Sequence, residues 1–164
     1  MRLNAISLCL TAEDLHRLIV RLVQRAESQG KIPSWLELDS ELIEVERDAD
    51  ALIVLLTLGI LGKQVPVKLV LSPEADSLGR PSSVGFALRE MNIFGAGNED
   101  MADLIRRVAC KFLAPFLDKL SMACDGRTFW IDILRLASKA DVSLEGRVRE
   151  VGLTATGLSV TIGD

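Results

Sequence analysis

The stretch from Ala51 to Leu61 is apolar on both strand parities, with Leu52, Val54, Leu56 and Leu58 on one and Ile53 and Leu55 on the other. It is too short to cross a bilayer, which takes about 20 apolar residues, and Thr57 and Gly59 interrupt it. A polar turn, Asp48 to Asp50, precedes it and Gly62 follows, so its length and punctuation are those of a strand. A strand that is apolar on both sides needs both sides covered. One face then packs on a helix or a partner subunit, and the other is a core face or lines a cavity for an apolar ligand.

Periodicity places the remaining elements. Ile6, Leu8 and Leu10 alternate within Leu3 to Leu10, which predicts a short strand. Thr11 and Asp14 have the spacing of a capping box, and Leu10 and Leu15 that of a hydrophobic staple. Leu15, Leu18, Ile19, Leu22, Val23 and Ala26 form one helical face, with Arg17, Arg21 and Arg25 on the other side. Gly30 and Pro33 stop that helix. Leu36, Leu38 and Leu42 share one parity and Ile43 and Val45 the other, so a bulge is expected between them. Gly62-Lys63 suits a type II′ hairpin turn, and Val65, Val67, Leu69 and Leu71 line the return strand. Pro66 points to an edge or a bulge there.

Beyond a loop from Ser72 to Ser83, Val84, Phe86 and Leu88 begin a strand whose parity switches at Met91 and Ile93. Asn98 then caps a second amphipathic helix with Met101, Leu104, Ile105, Val108, Phe112, Phe116 and Leu120 on its apolar face and a kink at Pro115. Phe129, Ile131 and Ile133 read as a strand, Leu136 to Asp141 as a connector, and Val142, Leu144 and Val148 as a further strand. Thr156-Gly157 turns the chain into a last strand through Leu158, Val160 and Ile162. The expected order is β-α-ββββ-α-βββ in one domain over residues 1–164, an α+β fold with an antiparallel sheet. The strands do not alternate with helices, which excludes a βαβ nucleotide fold.

The chemistry the chain can perform is narrowed by what it lacks. His16 is its single histidine, and Cys9, Cys110 and Cys124 show no C-x-x-C spacing. No metal site is expected from such a set, and the three thiols read as buried and reduced. Nucleophilic catalysis needs a base beside the nucleophile, and His16 reaches a cysteine only by accident of folding. Gly95-Ala96-Gly97 precedes a helix, but Glu99 and Asp100 follow it and would repel phosphate. Glu37, Asp39, Glu41, Glu44 and Glu46 read as the solvent side of strands, not as a catalytic pair. The expectation is a protein without catalytic activity and without a cofactor. A net charge of −4 argues against nucleic acid as a partner. The Arg17, Arg21, Arg25 row could touch anionic headgroups at a membrane surface, although Glu13 is placed to pair with Arg17.

What the chain has in excess is aliphatic surface. Its apolar fraction is 49% before glycine is added and it contains no tyrosine. That surplus belongs in a large core, an oligomer interface or a ligand cavity. The N-terminus lacks the long apolar run and cleavage site of a signal peptide, so a cytoplasmic protein is expected.

One family shows a similar succession of motifs. LTAEDLHRLI, LLTLGILGKQVPVKLVLSPE and FWIDILRLASKADVSLEGRVREVGLTATGLSVTI, taken together, resemble small bacterial phospholipid-binding domains of the LmeA type, related to the tubular lipid-binding (TULIP) superfamily. The resemblance spans nearly the whole chain and rests on pattern, without a diagnostic motif. It implies a curved antiparallel sheet wrapped around two amphipathic helices, with an apolar groove for lipid or fatty acyl chains. On this chain the groove would be lined by Leu15, Leu18, Ile19 and Leu22, by Val54, Leu56 and Leu58, and by Val108, Phe112 and Phe116. Trp35 and Trp130 would stand at its rim. The family's envelope members carry an export signal that is not seen here. The alternative is an interaction module whose apolar surface forms a homodimer or partner interface.

Overall fold

The computed structural model describes residues 5–30, 32, 34, 36–60, 62–76, 78–93, 122–125, 128–139 and 141–164. They form an α+β fold built on a strongly curled antiparallel sheet. The elements are β1 (Ala5–Thr11), α1 (Ala12–Ser28), β2 (Leu36–Leu38), β3 (Glu44–Asp48), β4 (Ala51–Ile60), β5 (Lys63–Ala75), β6 (Ser83–Ile93), β7 (Met122–Asp125), β8 (Thr128–Asp132), α2 (Ile133–Lys139), β9 (Arg147–Leu153) and β10 (Gly157–Gly163). Among these residues the strands divide into two sheets. The smaller has the order β1-β10-β9; the larger runs β2-β4-β5-β6-β8-β7, with β3 also paired to β4. No helix among the described residues is long and apolar enough to cross a membrane.

The first helix starts as its sequence dictates. The Thr11 side chain accepts from the Asp14 amide at 3.1 Å, and the Asp14 carboxylate accepts from the Thr11 amide at 3.0 Å. This closes both halves of a capping box, so two amides that the helix cannot satisfy find partners. Those hydrogen bonds, the backbone one first, hold the Asp14 carboxyl below its usual range, with Arg17 adding a smaller pull. Arg17 pairs with Glu13 one turn before it. α1 packs on β1, β3 and the 3₁₀ turn Ser40–Leu42, and buries Leu15.

Several local expectations change. The phase shift between Leu38 and Val45 is absorbed by that 3₁₀ turn, not by a bulge; Asp39 opens it by accepting from the Glu41 amide at 2.9 Å. β2 and β3 then lie end to end along one edge of β4. In the β4–β5 hairpin Ile60 opposes Lys63, so Lys63 belongs to the return strand and the turn comes one position earlier than Gly62-Lys63. Gly62 has a φ of +79°, a conformation that a side chain would strain. Pro66 opposes Thr57 and lies one residue outside the described β5–β6 ladder, so its missing amide hydrogen breaks none of those bonds. The parity switch at Met91 is a true bulge. Val70 opposes Glu90 and Leu71 opposes Leu88, which leaves Arg89 extra, and its guanidinium reaches Asp50 at 2.9 Å.

The largest departure follows β8. Residues 133–139 form α2, where a strand end and a connector were expected. The Asp132 side chain accepts from the Arg135 amide at 2.9 Å, which starts the helix, and Asp141 at a φ of +58° ends it. The second expected helix, from Asn98 to a stop at Gly126, lies outside the described residues except for Met122–Asp125, which form β7 instead. The order β-α-ββββ-α-βββ is therefore replaced, over what is described, by two sheets, one long helix and one short one. Cysteine also departs from expectation: Cys9 is free but exposed, and Cys124 is disulfide-bonded.

The core lies between the two sheets. Val148, Leu158, Val160 and Ile162 of the small sheet pack with Leu52, Val84 and Leu15, and Leu71, Phe86, Ile133 and Leu134 close around them. Val148 donates to the Pro81 carbonyl at 2.6 Å and Ile133 to that of Ser82 at 3.0 Å, which fixes β9 and α2 to the turn before β6.

Candidate functional site: the apolar face of the large sheet

Residues opposite each other in an antiparallel ladder share a face, so register assigns the two faces of the large sheet. One face carries the rows Leu52–Leu71–Leu88, Val45–Val54–Leu69–Met91, Leu56–Val67 and Leu38–Leu58–Val65. Phe129 and Ile131 join it through Phe86 and Val84. Every one of these side chains is apolar.

Burial changes along this face. Leu52 and Val54 are 3% and 6% exposed and belong to the core end, whereas Leu56, Leu58, Val65 and Leu69 are only half-buried; Val67 between them is buried. The half-buried part is the candidate apolar binding surface, because its aliphatic groups are aligned but not fully packed by the protein.

The charges of the sheet are segregated. Glu37, Glu44, Glu46, Asp48, Glu74, Glu90, Asp125 and Asp132 all fall on the opposite face. The charged positions that register assigns to the apolar face are Arg47, opposite Leu52, and Lys63, opposite Ile60, one near each end of β4. The Arg47 Nε is buried without a hydrogen-bond partner. A buried donor left unsatisfied is costly, and an anionic oxygen would satisfy it.

The residues expected to line a groove are distributed as follows. Leu15 and Val54 are core residues. Leu18, Ile19 and Leu22 are half-buried on α1, and Leu56 and Leu58 are half-buried on the sheet face described above. Trp130 is not at a rim. It is 7% exposed and lies on the opposite face, where its ring covers Gly85. A Cβ on Gly85 would stand 2.7 Å from the Trp130 ring and 2.9 Å from the Glu74 side chain. Arg80 sits over the same ring at 5.4 Å from its centroid, and Glu74 accepts from the Thr128 hydroxyl at 3.0 Å. Val108, Phe112, Phe116 and Trp35 lie outside the described residues.

Leu38, Val65 and Leu69 were not expected at the site, although the signal was present. The turn between Ile60 and Lys63 fixes the register, and register puts Val65 and Leu69 beside Leu58 and Val54. Arg47 and Lys63 were legible in the same way, through the parity they share with Val45 and Val65.

An open depression of about 560 Å³ adjoins this face at Leu38 and lies at the C-terminal end of α1, over β2 and the 3₁₀ turn. Ile32, Leu36 and Leu38 line it with Glu27, Glu37, Asp39 and Glu41, and among the described residues no cation does. That acidic lining suits an anionic amphiphile poorly, and the long apolar face suits one better. Among the described residues no group of three His, Cys, Asp or Glu side chains is arranged to hold a metal ion.

Comparison with known proteins returns no matching family model, no matching curated protein and no matching solved structure.

Proposed function

We propose that this protein binds, without converting it, an apolar ligand with an anionic end, a fatty acyl chain or phospholipid, along the half-buried apolar face of the curled sheet. The observation that carries the reading is the charge segregation on that sheet. Aliphatic side chains run the length of one face, with cations near its ends and all the carboxylates of the strands on the other face. An acyl chain would lie along Leu56, Leu58 and Leu69 and release water from them, at about 25 cal/mol for each Å² of apolar surface removed from water. Its anionic end would take the unsatisfied Arg47 donor. The pattern shared with tubular lipid-binding domains supports the same ligand class, and the surplus of aliphatic residues gives the surface for it.

Native mass spectrometry of protein purified without detergent, followed by organic extraction, tests this. Adducts of acyl-chain mass are expected, and Arg47→Leu should lower the proportion of anionic lipid retained. A bare mass before and after incubation with fatty acids and with anionic phospholipid vesicles would sink the proposal.

A further inference from the structure

The described strands leave four sheet edges, and three of them carry features that discourage pairing with another chain. The β2–β3 edge is broken by a 3₁₀ turn and carries Glu37, Glu44, Glu46 and Asp48. β7 has 4 residues and ends at Asp125. β9 carries Arg147, Arg149 and Glu150, and its register shifts where Arg149 is left over. Charges, bulges and short strands are the usual protections of an edge.

β1 has none of these. Its 7 residues, Ala5–Thr11, include no charge and no proline, and among the described residues it pairs with β10 alone, in an unbroken register from Ala5↔Gly163 to Thr11↔Gly157. Most of it is exposed. Ile6 and Leu10 are 38% and 36% exposed, although they oppose Ile162 and Leu158, which are almost completely buried. The apolar row of the small sheet therefore stops at a strand whose own apolar side chains still face water.

We propose that β1 is a homodimer interface at which two copies of the chain pair their β1 strands antiparallel about a two-fold axis. An isologous contact of this kind needs no foreign sequence, because the edge supplies its own complement. The side chains select the register. Only pairings that set even positions opposite even positions keep the apolar side chains together on one face. Centring the axis on Leu8 uses the whole strand. Leu8 then opposes its own counterpart and Ile6 opposes Leu10 of the second copy. On the polar face Ser7 opposes Cys9 and Ala5 opposes Thr11. The two small sheets become one continuous sheet of order β9-β10-β1-β1-β10-β9, and the apolar row runs through it uninterrupted. This surface is distinct from the proposed ligand face, so either assignment can fail without the other.

Sedimentation equilibrium across protein concentration provides the test. The expected mass rises from 17.9 kDa toward twice that value as concentration approaches about 0.5 mM, since a small strand-to-strand contact associates weakly. The double variant Ser7→Lys/Cys9→Lys places lysines opposite lysines on the exposed polar face. It should weaken association about tenfold or more with an unchanged circular dichroism spectrum. Oxidised Ser7→Cys should form covalent dimers through the thiols at positions 7 and 9, whose opposed Cα atoms would lie within disulfide reach. A wild-type chain that stays monomeric throughout overturns the proposal. So does a double variant that associates as tightly as wild type, or a Ser7→Cys chain that does not cross-link.

Discussion

The two sheets use aliphatic residues differently. In the small sheet the apolar positions of the central strand β10 are completely packed. Val148, Leu158, Val160 and Ile162 are 0–2% exposed, while Ser7, Cys9 and Glu150 face solvent. In the large sheet the apolar face is longer than the core it serves. Leu52 and Val54 are packed, yet Leu56, Leu58 and Leu69 on the same face remain half-buried. The centre of the small sheet commits its hydrophobic surface to the core and leaves apolar side chains exposed only at its edge strand β1; the large sheet leaves aliphatic groups half-buried on its inner strands, and it is there that ligand binding is proposed. Both sheets are amphipathic, so a hydrophobic pattern alone does not distinguish a core from a binding surface. Completeness of burial does.

Substitutions can break or sharpen that contrast. The largest effect is expected at Leu158→Ala in the small sheet, which opens a cavity in the centre of the core and should cost about 2–5 kcal/mol in urea denaturation. Gly85→Ala comes next. Its methyl group meets the Trp130 ring and the Glu74 stem, and the overpacking should cost about 1–3 kcal/mol, with a changed Trp130 fluorescence. Leu58→Ala on the half-buried face should cost only about 1 kcal/mol, because much of its side chain is still wet in the folded state. The same variant should lose acyl-chain binding. If it proves as destabilising as Leu158→Ala, the two sheets do not differ and the apolar face is simply core.

The smallest effect is expected at the start of α1, away from both sheet faces. Asp14 is a better acid in the folded protein than in the unfolded chain, so it contributes stability that is present above the unfolded pKa and lost as pH falls through the folded one. The difference in urea midpoint between wild type and Asp14→Asn should therefore be largest near neutral pH and should shrink as the pH falls below about 4. A difference that grows on acidification would contradict the capping geometry.

Much of the local structure is legible in the residues themselves. The Thr11–Asp14 box, the apolar stripe of α1, the double-sided strand at Ala51 and the parity switch before Met91 each follow from spacing within a few positions. What misled was local ambiguity resolved by distant contacts. ILRLASK contains good helix formers, but Phe129, Ile131 and Ile133 alternate just as a strand would, and only the docking of Ile133 on Ser82 and the Asp132 cap select the helix. Trp130 lies between Phe129 and Ile131, so its parity sets it on the face opposite theirs, but which of the two faces is the core side follows only from the pairing of the strands.

For the candidate site the division is sharper. By itself the sequence determined the first helix and the long strands from Ala51 to Ile93, which side chains alternate in them, and that aliphatic groups exceed ordinary need, because these properties depend on neighbours one to four residues apart. Only the tertiary structure decided that the strands form two sheets, that Leu52 and Val54 are packed while Leu56 and Leu58 stay half-buried, and that the face which Arg47 and Lys63 share with Val45 and Val65 is the one turned to the core. Those facts depend on which strands meet and in what register. That is settled by packing between residues far apart in the chain, whose pairing no short-range pattern encodes.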